Sequence, residues 1–119
     1  MVLVDTSVWV EHLRRGEPRL TSLLGAADVL CHPFIVGELA CGNLRNRRGI
    51  LGLLAALPSL RKASDDEVLL FIERNGTQGK GLGLIDMHLL ASCALAGKPI
   101  WTLDRKLGKA AAKVGVGRH

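Results

Sequence analysis

The chain has 119 residues, 48% of them hydrophobic, and sixteen Lys and Arg set against eleven Asp and Glu give it a net charge of +5. That length and apolar content suit one domain, residues 1–119, with its own core, and exclude a disordered chain. No apolar run nears the roughly 20 residues of a membrane-spanning helix, and Cys31, Cys41 and Cys93 match neither a zinc site nor a disulfide framework.

The opening "MVLVD" reads as a short buried strand, with no basic leader of the secretory kind ahead of it. In "SVWVEHLRR" the apolar residues Val8, Val10 and Leu13 recur at helical spacing before Gly16. Pro18 starts a second helix that ends at Gly25, and "ADVLCH" is a second strand. Pro33 opens the helix "PFIVGELACG", which its apolar neighbours mark as largely buried. After the basic turn "RNRR" comes the helix "GILGLLAALPSL", ending near Pro58, then a short third strand around Leu60 to Ala63. Ser64 and Glu67 have the spacing of a capping box and open the helix "EVLLFIERNG". The Gly-rich loop "GTQGKGLG" leads into the helix "LIDMHLLASCALAG". The strand "KPIWTLD", the helix "DRKLGKAAAKVG" and a final edge strand within "VGVGRH" complete the chain. Strands alternating with helices predict an α/β fold in which a mostly parallel sheet of four to five strands is covered on both faces. The three thiols are expected to be buried and free, as in a cytoplasmic protein.

Four carboxylates stand out in this basic chain. Asp5, Glu38, Asp86 and Asp104 each sit beside an apolar run: "MVLVD", "PFIVGE", "GLGLID" and "IWTLD". Asp5 and Asp104 end strands, so in a parallel sheet they emerge on the same edge, where open α/β sheets bind ligands. Asp86 follows the Gly-rich loop and can face that edge, while Glu38 has to reach it from mid-helix. Two like charges about 5 Å apart repel by roughly 3 kcal/mol at an effective dielectric of 20. A cluster of four therefore calls for protonation or a divalent cation, and an all-oxygen donor set favours Mg²⁺ or Mn²⁺ over Zn²⁺. Simpler roles are open to each: Asp5 and Asp104 as helix caps, Asp86 as a complement to a helix dipole, Glu38 as a surface acid. Thr6, Ser7 and Thr102 put hydroxyls next to two of these acids, for capping or for a supporting role.

With those four acids set aside, seven remain and the rest of the chain carries +9, a balance suited to a polyanion whose phosphates meet a bound metal. Arg45, Arg47 and Arg48 after the Glu38 helix, and Arg105, Lys106 and Lys109 after Asp104, are the candidates for contact with such a phosphate backbone; solvated surface is the alternative for each. The helix "GILGLLAAL", apolar round most of its circumference, is either core or a protein interface.

Taken together, "VLVDTSVWVE", "VGELACG" and "GLIDMHLLASCALAGKPIWTLDRKL" resemble, in order and spacing, the motifs of the PIN domain, most closely the VapC-type toxin ribonucleases of toxin–antitoxin modules. The resemblance covers essentially the whole chain. It implies a three-layer α/β/α sandwich and catalytic, Mg²⁺-binding roles for Asp5, Glu38, Asp86 and Asp104. Ser7 and Thr102 fall at the family's supporting hydroxyl positions. It also implies hydrolysis of RNA phosphodiesters, a homodimer, and a VapB-like antitoxin whose tail covers the acidic pocket. Where some members carry a further acid soon after the fourth, this chain has Leu107 and Gly108. His12, His32, His88 and His119 show no paired spacing with the acids, so none is expected to act as base. A PIN-like module that binds RNA or protein without cutting is the alternative reading.

Overall fold

In β1 (Val2–Val4) all three apolar side chains are buried, the pattern of a central parallel strand covered on both faces. The computed structural model, which describes residues 1–118, places β1 between β2 (Val29–Leu30) and β3 (Ile100–Trp101) in the order β2-β1-β3. Both pairings are parallel: Leu3 stands opposite Leu30 on one side and Ile100 on the other.

Seven helices connect and cover these strands: α1 (Thr6–Arg15), α2 (Pro18–Gly25), α3 (Pro33–Ala40), α4 (Arg47–Ala56), α5 (Asp65–Asn75), α6 (Leu84–Ala96) and α7 (Arg105–Lys113). Proline begins α2 and α3 at positions where a missing N–H is harmless. The expected capping box is present, with the Ser64 hydroxyl accepting from Glu67 N and the Glu67 carboxylate accepting from Ser64 N. The main core gathers β1, β2, β3 and the inward faces of the helices around Leu3, Trp9, Ile35, Leu89 and Ile100. A smaller cluster of Ala63, Val68, Met87 and Ala91 lies where α5 meets α6. Helix α6, the best buried, carries seven consecutive buried residues from Met87 to Cys93.

Among the described residues the sheet has three strands, not four or five. Where the third strand was expected, one bridge joins Ser59 to Cys31, flanked by bonds from Cys31 N to Pro58 O and from Leu60 N to Cys31 O. The next residues turn to a side chain instead: Ser92 Oγ accepts from Ala63 N at 3.3 Å and donates to Arg61 O at 2.9 Å. At the C-terminal edge one bridge links Gly117 to Ile100. A side chain at Gly117 would meet the Ala112 backbone at 3.0 Å, so this edge packs too close to α7 for an ordinary strand. His119, part of that expected strand, lies outside the described residues.

Three further expectations change. Helix α3 buries only Ile35 and Leu39 rather than most of its surface. Cys31 and Cys93 are buried but Cys41 is exposed; burial raises both buried thiols, Cys93 to about 12. Helix α4 fully buries only Leu54, with Ile50 and Leu51 half-buried against the core and Leu53 43% exposed, so one face joins the core and another is open. No helix of the described residues is long and apolar enough to cross a membrane.

Candidate active site

The carboxyl ends of β1 and β3 run directly into helices, and the acids occupy the joints. Asp5, the residue after β1, caps α1; Asp104, three residues past β3, caps α7 by accepting from Leu107 N at 2.9 Å. Asp86 is the third residue of α6, and its Oδ2 accepts from Gly83 N at 3.1 Å. The capping reading of Asp5 and Asp104 and the helix-dipole reading of Asp86 thus describe their local bonds. They do not use up the acids' chemistry, because each of these bonds engages one carboxylate oxygen.

Asp5 is 6% exposed. Its Oδ2 accepts from Ser7 Oγ and Thr102 Oγ1, both at 2.7 Å, and from Ser7 N at 3.4 Å. Ser7 Oγ in turn accepts from Leu103 N at 2.9 Å, and Thr102 Oγ1 from Asp104 N at 3.0 Å. Each hydroxyl has a single proton, and both protons go to Asp5. The 3.2 Å approach between Ser7 Oγ and Thr102 Oγ1 is then a contact imposed by the shared acceptor. The result is a clamp from β1 to the segment after β3 that fixes Asp5 relative to Asp104. It leaves Asp5 Oδ1 without a protein hydrogen bond among the described residues.

Electrostatics tie Asp86 to the same place. Burial pushes its carboxyl above the usual range, the Gly83 N–H pulls it down, and the charges of Asp5 and Asp104 push it up again. Among the described residues no three His, Cys, Asp or Glu side chains already stand as close as a closed metal site requires; each acid is held by its own local bond. The donor chemistry nevertheless fits a hard cation. All donors are oxygens, Asp5, Asp86 and Asp104 each keep one oxygen free of protein hydrogen bonds among the described residues, and Asp86 bears repulsion that a cation would relieve.

Glu38, on the sixth residue of α3, is exposed, and its Oε1 accepts from Thr6 Oγ1 at 2.7 Å. Thr6 is the residue after Asp5, so this bond draws α3 toward the β1–α1 joint. Glu38 and Thr6 also line a cleft of about 620 Å³ together with Arg14, Asn43 and Arg45. Arg45 is one of the predicted backbone contacts. Arg14 was missed, although it lies eight residues after Thr6 on the same α1 face, a spacing visible in the sequence.

The remaining basic candidates divide by environment. Arg47 donates to Ala40 O at 2.6 Å and Gly42 O at 3.3 Å, closing the end of α3, while Arg48 and Arg105 are exposed without such contacts. Lys106 and Lys109 line a second cleft, with Lys80 and Lys113 beside them.

Two of the histidines, His12 and His32, support structure. His12 Nδ1 accepts from Glu17 N. His32, fully buried, accepts from Phe34 N at Nδ1, so its proton is assigned to Nε2, 3.0 Å from Ser92 Oγ. Burial, with help from the charges of His88 and Lys62, lowers His32 to about 4. Through Ser92 this imidazole joins the start of α3, which bears Glu38, to α6, which bears Asp86.

The family described as the PIN domain matches residues 2–113. Two curated relatives, both called Ribonuclease VapC32 and from two strains of Mycobacterium tuberculosis, are 46% identical over 117 residues, covering 98% of this chain and 94% of theirs.

Proposed function

The chain belongs to the PIN-domain family, and on that premise we propose that it is an endoribonuclease toxin of the VapC type, hydrolysing RNA phosphodiesters with a divalent cation. The observation that supports the mechanism is that Asp5, Asp86 and Asp104 each stand at a helix start and that the charges of Asp5 and Asp104 act on Asp86. Asp5 and Asp86 would hold the ion, Mg²⁺ with Mn²⁺ as a substitute, and Asp104 and Glu38 would orient water around it. When bound, such an ion supplies Lewis-acid charge and lowers the pKa of an attacking water.

The protein's own part is positional. Ser7 and Thr102 fix Asp5 in one rotamer, so no ordering cost falls on the catalytic step. Thr6 holds Glu38 toward the same edge. Backbone N–H groups bonded to Asp86 and Asp104 hold those carboxylates in place at helix N-termini. Arg45 and Arg14, in the cleft that holds Glu38, would take phosphates of the strand.

A cognate VapB-like antitoxin and a second copy of the chain are the partners this reading implies, in the cytoplasm. The exposed Leu53 on α4, a helix that buries little of itself, offers apolar surface for one of them. The deciding experiment compares RNA cleavage by wild type and Asp5→Asn with and without EDTA. Cleavage should require both the carboxylate and the metal, and undiminished cutting by the variant would sink the assignment. Retained RNA binding with no cleavage by wild type under any divalent ion would leave the non-cutting module.

A further inference from the structure

We propose that the lysine cleft between the turn after α5 and the outer face of α7 binds the RNA backbone at phosphates next to the one being cut; this rests on the ribonuclease reading. The cleft, about 380 Å³, is lined by Asn75, Thr77 and Lys80 on one side and by Lys106, Lys109 and Lys113 on the other. Among the described residues none of the four lysines is in an ion pair, so their charge faces the cleft unbalanced.

Thr77 is 4% exposed, and its hydroxyl, itself buried, has no hydrogen-bond partner among the described residues. Buried polar groups are nearly always paired; this hydroxyl lies just beneath the cleft wall, so a small shift of the turn would let it donate to an anionic oxygen in the cleft. Lys106 lies across Gly81, where a Cβ would come within 3.0 Å of Nζ. Gly81 has a φ of +78° and belongs to the loop that leads to Asp86. The lysine is thereby laid over the approach to the acids.

The placement favours a strand over a single small anion. Lys106, Lys109 and Lys113 follow i, i+3, i+7 spacing on one face of α7, spreading their charge over about 10 Å. The same helix begins at Asp104, so a phosphodiester chain running along α7 would present one phosphate to the acids and others to the lysines. Lysine binds phosphate as a point charge, and no aromatic ring lines the cleft. Recognition there should ignore base identity.

The test uses Lys80→Gln/Lys113→Gln, which touches exposed side chains only and should leave the urea midpoint unchanged. Binding of a labelled single-stranded oligoribonucleotide is measured in EDTA across a salt series, so that it does not depend on cleavage. Loss of two phosphate contacts should flatten the slope of log K against log salt by about 1.4. In cleavage assays KM should rise several-fold with kcat held. An unchanged slope and KM in the folded variant would overturn the proposal. So would either of two patterns with RNA binding intact: thermal stabilisation by inorganic phosphate lost only in the variant, marking a free-anion site, or lost affinity for a poly-glutamate peptide, marking an acidic protein partner. A flattened slope in a protein whose wild type cuts no RNA would keep this site and refute the nuclease reading.

Discussion

His32 makes the stability of this fold depend on pH in a way that one substitution can isolate. The neutral imidazole accepts from Phe34 N and donates to Ser92 Oγ, and protonation would put a buried charge beside His88 and Lys62. A base whose folded pKa is depressed helps the fold above its unfolded pKa and loses that help as pH falls toward the folded value. Here the window runs from 6.5 down to about 4. At 1.36 kcal/mol per pKa unit the full loss is about 3 kcal/mol, of which about 2.5 kcal/mol is gone by pH 4.5. Urea unfolding at pH 7.5 and 4.5 should show that drop in wild type. In His32→Asn, whose amide oxygen can still cap α3, the protein should be weaker at pH 7.5 because of lost packing, yet lose about 2.5 kcal/mol less than wild type between the two pH values. Equal pH dependence in the two proteins would refute the assignment of this titration to His32.

Other substitutions probe the clamp, the caps and the cluster. Thr102→Val removes one of the two hydroxyls on Asp5 and should cost about 10–100-fold in metal affinity or cleavage, read by Mn²⁺ titration and RNA turnover. Asp86→Asn should leave the metal-free protein at least as stable, since it removes a charge facing Asp5 and Asp104, while abolishing the Mn²⁺-induced rise in melting temperature. Ser64→Ala breaks the capping box of α5 and should lower the urea-derived stability by about 1 kcal/mol with cleavage intact. Thr77→Val removes an unpaired buried hydroxyl and should raise stability by about 1 kcal/mol in the same assay.

Elements that carry their own signals were legible in the sequence. Pro18 and Pro33 marked helix starts, Ser64 with Glu67 marked another, and the acids at the ends of "MVLVD" and "IWTLD" fell at the strand-to-helix joints. What escaped depends on partners distant in sequence. Nothing in "LRKA" says that Ser92, about thirty residues away, will occupy its backbone groups and stop a strand after one bridge. Apolar neighbours made α3 read as buried, but Pro33, Gly37 and Glu38 are exposed, and Ile35 and Leu39 are its buried residues, with Val36 half-buried against the core. Lys113 was readable in principle, because its spacing from Lys106 and Lys109 puts all three on one face. Lys80 was not, since only the fold brings the Gly-rich loop against α7.

The same geometry explains how a small domain tolerates an acidic cluster. Asp5 and Asp104 stand at the caps of α1 and α7, and Asp86 in the first turn of α6. Each therefore faces the partial positive charge of a helix N-terminus, worth roughly 0.3–1 kcal/mol and more where partly buried. Backbone N–H groups absorb one oxygen of each carboxylate and offset part of the mutual repulsion. Glu38 has no such support: it sits well inside α3, exposed, with Thr6 Oγ1 as its one hydrogen-bond donor among the described residues. The three aspartates are thus pre-set by the backbone, whereas Glu38 depends on a side-chain bond that can break and re-form. Three fixed carboxylates and one adjustable one would suit the proposed centre, which has to admit a phosphodiester, hold it during cleavage, and release two shorter strands.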